Sequence, residues 1–389
     1  MALRETRSAG RQAIDATAAV PIPRLWSRVP PLRRLIRYAA IALVVVSVAF
    51  FALTPIGRYL ARAAWEESKI LRRRRPIAEL VADPATDPRT RQKLRLVLDA
   101  RRFAADSVHL RARASFTTYS ALERDTLVLV LSGAYRDRLK PRTWWFPIVG
   151  RVPYKGFFDF AAAQRAARAL DRDGFDAYLR PSPAFSTLGF FNDPLLSTTL
   201  GMDSLELANT VVHELTHNTF YAPGQAVFNE SFANFVGSRG AAWFFRSRGA
   251  EAAAAEVDRR WEDELLLGRY WMAVYHSVDS AYAAYPTSKA ERLAARAVVY
   301  ARARALLVDS VAPRLVTIPR SAVARMRLDN AALLARRIYL TDLDLFEGVY
   351  RREGGDVRRT IARVIALAKS RPDDPYAELR AWLRRPSRG

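Results

Sequence analysis

The sequence contains no cysteine and only four histidines among its 389 residues. The absence of cysteine excludes disulfide bonds, thiolate nucleophiles and zinc–thiolate clusters, and it leaves the redox compartment open. Any metal chemistry must therefore use histidine, aspartate and glutamate. Half of the residues are apolar, so the chain can bury a sizeable core in one large or two modest domains.

Acidic residues are few relative to basic ones, and the formal net charge is +23 at pH 7. The basic residues are mostly arginines scattered through apolar, helix-like stretches. Nucleic-acid binding usually needs a concentrated basic patch with aromatic residues in it, so no nucleic-acid partner is expected. An anionic membrane surface is the more natural partner, because the chain also contains a candidate membrane segment.

Residues 38–57 carry no charge and are flanked by Arg37 and Arg58. A helix of this length spans roughly 30 Å, the thickness of the hydrocarbon core of a bilayer. A buried core helix is seldom apolar on every face, and no small-x-small cleavage site follows the run, so a single uncleaved transmembrane anchor is predicted. Arginines lie on both sides of the run, so the charge rule does not settle its orientation.

Hydrophobic periodicity divides the rest of the chain. The predicted order is a basic tail (1–37), the anchor (38–57), a basic juxtamembrane helix (58–76) broken near Pro76, and one domain (77–389). β-rich stretches predict strands at Thr126–Leu131, Phe175–Leu179 and Phe185–Phe191, and the chain is helical after them. The expected fold class is α+β, helix-dominated with a small β-sheet.

The most informative stretch begins with a predicted helix over about 204–220. Asp203 with Glu206 resembles a capping box, and Pro223 and Gly224 end the helix. His213 and His217 lie one turn apart on one face, so both imidazoles can bind one ion. Glu214, offset by one residue, can act as general base on a metal-bound water. Two ordinary surface histidines are the alternative interpretation.

A catalytic zinc needs a third protein ligand, and Glu230 on the next helix can supply it. The short Tyr221–Gln225 turn would fold that helix back antiparallel, beside the histidines. Asn234, one turn further on, can hydrogen-bond a ligand or simply face solvent. Asp193 is the rival third ligand, because its predicted strand can pass over the same cleft.

HELTH (213–217) followed by NESFANFVG (229–237) resembles the gluzincin pattern, in which a glutamate from an NExxx(D/N) helix completes HExxH. Only twelve residues separate His217 from Glu230, which differs from the thermolysin spacing and from that of the large aminopeptidases. The GxMEN motif of the latter is also missing. Such a motif matters because an aminopeptidase needs an acidic group that binds the free α-amine.

A closer resemblance is to a bacterial family of predicted aminopeptidases, often lipoproteins. Six segments carry it in the family's order: RRRRPI (72–77), WWFPIVGRVPYKGFFD (144–159), AFSTLGFFNDPLLST (184–198), VVHELTHNTFY (211–221), FNESFANFVG (228–237) and LDNAALLARRIY (328–339). The resemblance implies a zincin-like metallopeptidase domain with a Zn²⁺ cofactor, a peptide substrate, and a periplasmic location on the inner membrane. The chain departs from its relatives in lacking a lipobox cysteine near Thr54–Gly57 and in carrying Trp145 and Arg151 where they tend to have cysteines.

Two further parts of a peptidase site have candidates in the sequence. The segment Phe185, Ser186, Thr187, Leu188 and Gly189 resembles an edge strand that pairs with an extended substrate through its backbone, and an ordinary strand and turn is the alternative interpretation. Tyr339 and His276 are candidates for stabilising the oxyanion, although either can equally be a helix-packing aromatic.

The sequence thus favours zinc-dependent hydrolysis of peptide bonds by an aminopeptidase with His213, His217 and Glu230 as ligands. The alternative is a non-catalytic membrane-surface or envelope-binding protein with a structural zinc site. A structural zinc usually has four protein ligands and needs no glutamate after its first histidine, which favours the enzyme.

Overall fold

A computed structural model describes residues 32–122, 128–147, 150–182 and 194–386. The described chain is helix-dominated and has small β-sheets, which confirms the α+β class. The helices are α1 Leu32–Leu53, α2 Pro55–Arg72, α3 Ile77–Ala82, α4 Pro88–Asp106, α5 Phe160–Arg172, α6 Ser197–Leu200, α7 Ser204–Thr219, α8 Ala226–Arg246, α9 Glu251–Ala283, α10 Lys289–Leu306, α11 Arg320–Ala324, α12 Asn330–Leu340, α13 Leu343–Arg352, α14 Val357–Ser370 and α15 Pro375–Arg384.

The strands are short and lie mostly in the first half of the chain. They are β1 Arg75–Pro76, β2 Thr118–Ser120, β3 Val128–Tyr135, β4 Pro141–Arg142, β5 Trp144–Phe146, β6 Gly150–Val152, β7 Tyr154–Phe157, β8 Phe175–Ser182 and β9 Leu195–Leu196. Strand β3 pairs antiparallel with β4 and β7 and, along its whole length, with β8. Strands β1, β2 and β9 form a second sheet, and β5 pairs with β6.

The chain divides into two compact units, residues 1–61 and 62–389. In the first unit, α1 is long and apolar enough to cross a membrane, and none of its side chains is buried. Both of its ends lie earlier in the chain than those of the predicted span 38–57. The helix ends at Leu53 because Pro55 lacks the N–H that would continue it. The Thr54 hydroxyl donates to Phe50 O (2.8 Å) and accepts from Gly57 N (2.9 Å), which starts α2.

Both ends of the basic helix α2 therefore lie earlier in the chain than those of the predicted range 58–76. It ends at Arg72, and Arg75–Pro76 pair with β2 instead of continuing the helix. Strands β3 and β8 confirm two of the three predicted strands. The third, Phe185–Phe191, lies outside the described residues.

The main core of the second unit lies between α7, α8 and the helices around them. Phe228, Phe232 and Phe235 of α8 are almost fully buried, and all three contact the ring of Phe346 on α13. Burial of large aromatic side chains contributes roughly 1.5–3 kcal/mol each. The aromatic side of α8 is therefore held firmly, whereas Glu230 on the same helix is only partly buried.

Candidate metal centre

Helix α7 presents both histidines on one side. Its first turn is capped by Asp203, whose carboxylate accepts from Leu205 N (3.0 Å) and Glu206 N (2.9 Å), as the sequence predicted. Leu207, Val211 and Leu215 form the buried side of the helix. Because His213 and His217 fall outside that apolar stripe, they are only partly buried and can bind a ligand.

The turn after α7 is locked by Asn229. Its side chain accepts from Ala222 N and donates to Ala222 O, both at 2.8 Å, across a turn in which Gly224 has a φ of +77°. This clamp fixes the start of α8 and thus the position of Glu230. Sequence analysis gave Asn229 no role, although its place directly before Glu230 after a glycine turn was a usable signal.

Helices α7 and α8 approach closely because α8 has a glycine at the crossing. A Cβ added at Gly237 would lie 2.3 Å from Asn209 Oδ1 and 3.2 Å from His213 Cβ. A larger residue there would displace the Asn209 side chain and press against Asn209 O and His213 Cβ on α7. Gly237 thus permits the short distance between the two helices that carry the site.

The structure brings together His213, His217 and Glu230. His213 Nε2 lies 3.2 Å from His217 Nε2 and 3.4 Å from Glu230 Oε2, and His217 Nε2 lies 3.6 Å from Glu230 Oε1. Ligands bound at 2.0–2.1 Å in a tetrahedron are separated by about 3.3 Å. These separations therefore fit one zinc-sized ion, as does the donor set of two imidazoles and one carboxylate.

The electrostatics of the triad favour a charged carboxylate. Burial raises the pKa of Glu230, but hydrogen bonds and charge from the two histidines outweigh burial and lower that pKa to about 2. For His217 burial acts in the other direction and lowers the pKa. Glu230 and, more weakly, the charge of Glu214 outweigh burial and raise the pKa of His217 above its ordinary value. A positive ion at the triad would take the place of the two histidine side chains as the partner of the Glu230 carboxylate.

Glu214 follows His213 on α7 and is exposed. It does not belong to the group of donor atoms that could hold a metal. Its charge nevertheless acts on both His217 and Tyr339, so it lies beside the triad. This position is suitable for a base that acts on a water molecule at the triad.

Asn234 has a partner that the sequence did not reveal. Its amide nitrogen donates to Glu264 Oε2 on α9 (2.7 Å), and a hydrogen bond from Asn234 to a metal ligand stays a prediction. Burial raises the pKa of Glu264 to about 7, the hydrogen bond from Asn234 lowers it and the charge of Glu206 raises it. Glu264 lies 30 positions after Asn234 in the sequence, and no local pattern marks it.

Glu264→Gln is expected to remove a pH dependence of stability. The unfolded carboxyl has a pKa near 4.5 and the folded one near 7. The folded state therefore keeps its proton longer, and the free energy of unfolding falls as pH rises from about 4.5 to 7. Glutamine can still accept from Asn234 and carries no charge, so the variant should match the wild type at pH 4.5 and exceed it at pH 8 by at most about 3 kcal/mol.

Chemical unfolding of the full chain in detergent at the two pH values measures this difference. Glu262→Gln is the matched control, because Glu262 is an exposed glutamate on the same helix. Equal stability changes in the two variants at pH 8 would show that burial of Glu264 does not carry the effect.

Tyr339 lies near the C-terminal end of α12. Its neighbour Ile338 accepts a hydrogen bond from Ser231 Oγ (3.4 Å), the residue after Glu230. Partial burial raises the pKa of the Tyr339 hydroxyl, the charges of Glu230 and Glu214 raise it further, and Arg180 lowers it. The hydroxyl is thus a protonated donor at neutral pH, close to the triad.

The other sequence candidates are not brought to the triad by the described structure. His276 is exposed on α9, and its ring contacts Tyr275. The segment Phe185–Gly189, proposed to bind the substrate backbone, lies outside the described residues, as does Asp193.

The described chain is thus a helix-dominated α+β protein with a candidate His–His–Glu metal centre on two antiparallel helices. Residues 58–379 match the family model described as "Putative aminopeptidase", and the chain belongs to that family. No curated protein matches it. No solved structure matches it either.

Proposed function

We propose that this chain is a zinc-dependent peptidase of the gluzincin type, with a zincin-like catalytic domain, acting as an aminopeptidase. The observation that carries the proposal is the spacing of the three donor atoms of His213, His217 and Glu230, which fits tetrahedral zinc. The family's description supports a peptidase. Zinc bound at the triad would supply a water of pKa about 7 and would polarise the scissile carbonyl.

Two protein side chains would supply the proton transfers and the stabilisation of the oxyanion. Glu214 is an exposed carboxylate beside the triad and would take the proton of the attacking water, then return it to the leaving amine. Tyr339 would donate its O–H to the carbonyl oxygen as negative charge develops there. Its raised pKa keeps that proton in place at neutral pH.

The number of protein ligands favours an enzyme over a protein with a structural zinc site. Among the residues that the structure describes, the triad is not joined by a fourth histidine or carboxylate. A structural zinc is usually closed by four protein ligands, whereas a catalytic one keeps a position for water and substrate. The alternative of a non-catalytic envelope-binding protein would have to explain a three-ligand site with a carboxylate beside it.

Aminopeptidase activity can be tested with matched peptides. The full chain, purified in detergent with zinc, should hydrolyse peptides with a free α-amine and should spare their N-acetylated counterparts. The α-amine must be bound for exopeptidase specificity, and acetylation removes its charge. Equal cleavage of both series would support peptidase activity but would reject specificity for a free N-terminus.

Helix α1 supports a single-pass membrane anchor, with the catalytic unit proposed on the periplasmic side of the inner membrane. This placement rests on the arginine-rich tail (1–37) together with the exported character of the similar proteins. Added protease should then digest the C-terminal unit in intact spheroplasts. Full protection of that unit would place it in the cytoplasm.

A further inference from the structure

One face of the larger sheet packs against α12, the helix that carries Tyr339. Alternate residues of β8 share a face, so Asp176, Tyr178 and Arg180 point the same way. The opposite face, with Leu131 and Ala177, is covered by Leu170 of α5. The face that carries Arg180 packs against α12, because Asp176 Oδ2 accepts from Asn330 N (3.0 Å) at the start of that helix.

From this shared starting point, β8 and α12 extend over equal lengths. Arg180 is four residues beyond Asp176, about 13 Å along a strand, and Tyr339 is nine residues beyond Asn330, about 13 Å along a helix. Helix α12 starts beside Asp176 and packs along both β3 and β8, so it runs in the same direction as β8. In agreement, Tyr178 acts electrostatically on Arg336, and Arg180 on Tyr339. Arg180 is thus placed opposite Tyr339. The residue before Tyr339, Ile338, accepts a hydrogen bond from Ser231, which follows Glu230 near the N-terminus of α8.

The backbone of Arg180 pairs with β3, but its side chain is partly exposed and makes no ion pair or hydrogen bond with the described residues. Two arginines nearby have acidic partners: Arg136 pairs with Asp171 and Asp176, and Arg296 pairs with Asp176. Arg180 therefore leaves a guanidinium fork available beside the candidate site. A guanidinium binds carboxylates in a bidentate, charge-assisted manner.

We propose that Arg180 binds a carboxylate of the peptide substrate, so that the site prefers short peptides whose negative group lies close to the scissile bond. This proposal rests on the peptidase function proposed above. The carboxylate can be the free C-terminus of a dipeptide or the side chain of an acidic residue. Both sources share the chemistry that the arginine recognises.

Three dipeptide probes separate these sources in the full chain purified in detergent with zinc: alanyl-alanine, alanyl-alanine amide and alanyl-glutamate amide. The wild type should favour at least one acid-bearing probe over alanyl-alanine amide by about 10- to 100-fold in kcat/KM, the range expected for a charge-assisted hydrogen bond. Preference for alanyl-alanine assigns the carboxylate to the C-terminus, and preference for alanyl-glutamate amide assigns it to the side chain.

Arg180→Gln should abolish that preference while changing hydrolysis of alanyl-alanine amide by less than about threefold, because only the acid-bearing probes lose a contact. Arg168→Gln is the matched control, since Arg168 is exposed on α5, across the sheet from Arg180. It should retain the preference.

Two results would overturn the role of Arg180 while leaving the peptidase intact. One is a wild type that hydrolyses all three probes equally. The other is an Arg180→Gln variant that loses activity to the same extent on every probe, which would mean that Arg180 acts through Tyr339 rather than on the substrate. Failure of the wild type to hydrolyse these probes or any longer peptide would instead reject the peptidase function, and this proposal with it.

Discussion

Glu214→Gln should lower kcat by about 10²- to 10⁴-fold, the range that general acid–base catalysis contributes, while zinc stays bound. Glutamine has nearly the same shape but cannot accept a proton from water. Glu214 lies outside the group of donor atoms at the triad, so its replacement removes no ligand. Initial rates on free-amine peptides, together with zinc content, measure both halves of this expectation.

Glu206→Gln is a suitable control for the loss of one negative charge from α7. Glu206 is exposed on the same helix, two turns before His213, and should leave kcat within about twofold. Near-normal turnover in Glu214→Gln would remove Glu214 from the mechanism. Loss of zinc from that variant would instead indicate a role in binding the metal.

Glu230→Ala is expected to abolish zinc binding and activity together. Changes to residues that merely support a metal ligand cost 10- to 100-fold in affinity, so removal of a ligand should cost more than about 100-fold. The fold should survive, because α8 is held on its other side by Phe228, Phe232 and Phe235. Circular dichroism of the variant, measured beside that of the zinc-free wild type, separates loss of the site from loss of the fold.

Local signals in the sequence were sufficient to predict the two helices of the site. The Asp203 cap, the spacing of His213 and His217, and the turn before α8 all act within a few residues. Glu230 is the next carboxylate after that turn, so the proximity of the three side chains also followed from local structure. The helical second half of the chain was predicted for the same reason, since its hydrophobic periodicity is regular.

Long-range contacts were not predictable in this way. Glu264 approaches Asn234, and Arg180 approaches Tyr339, only because α9, β8 and α12 pack around the site. Strand β7 is short, and its pairing with the distant strand β3 stabilises it more than any intrinsic preference. The end of α1 depends on Pro55 and Thr54, which overrode the hydrophobicity of the flanking residues.

The central claim, that His213, His217 and Glu230 form a zinc site, is tested most directly by the zinc content of three purified full-length proteins. Elemental analysis should give about one zinc per chain in the wild type and in Asp193→Ala, and almost none in Glu230→Ala. Full zinc content in Glu230→Ala together with its loss from Asp193→Ala would move the third ligand away from α8 and contradict the account.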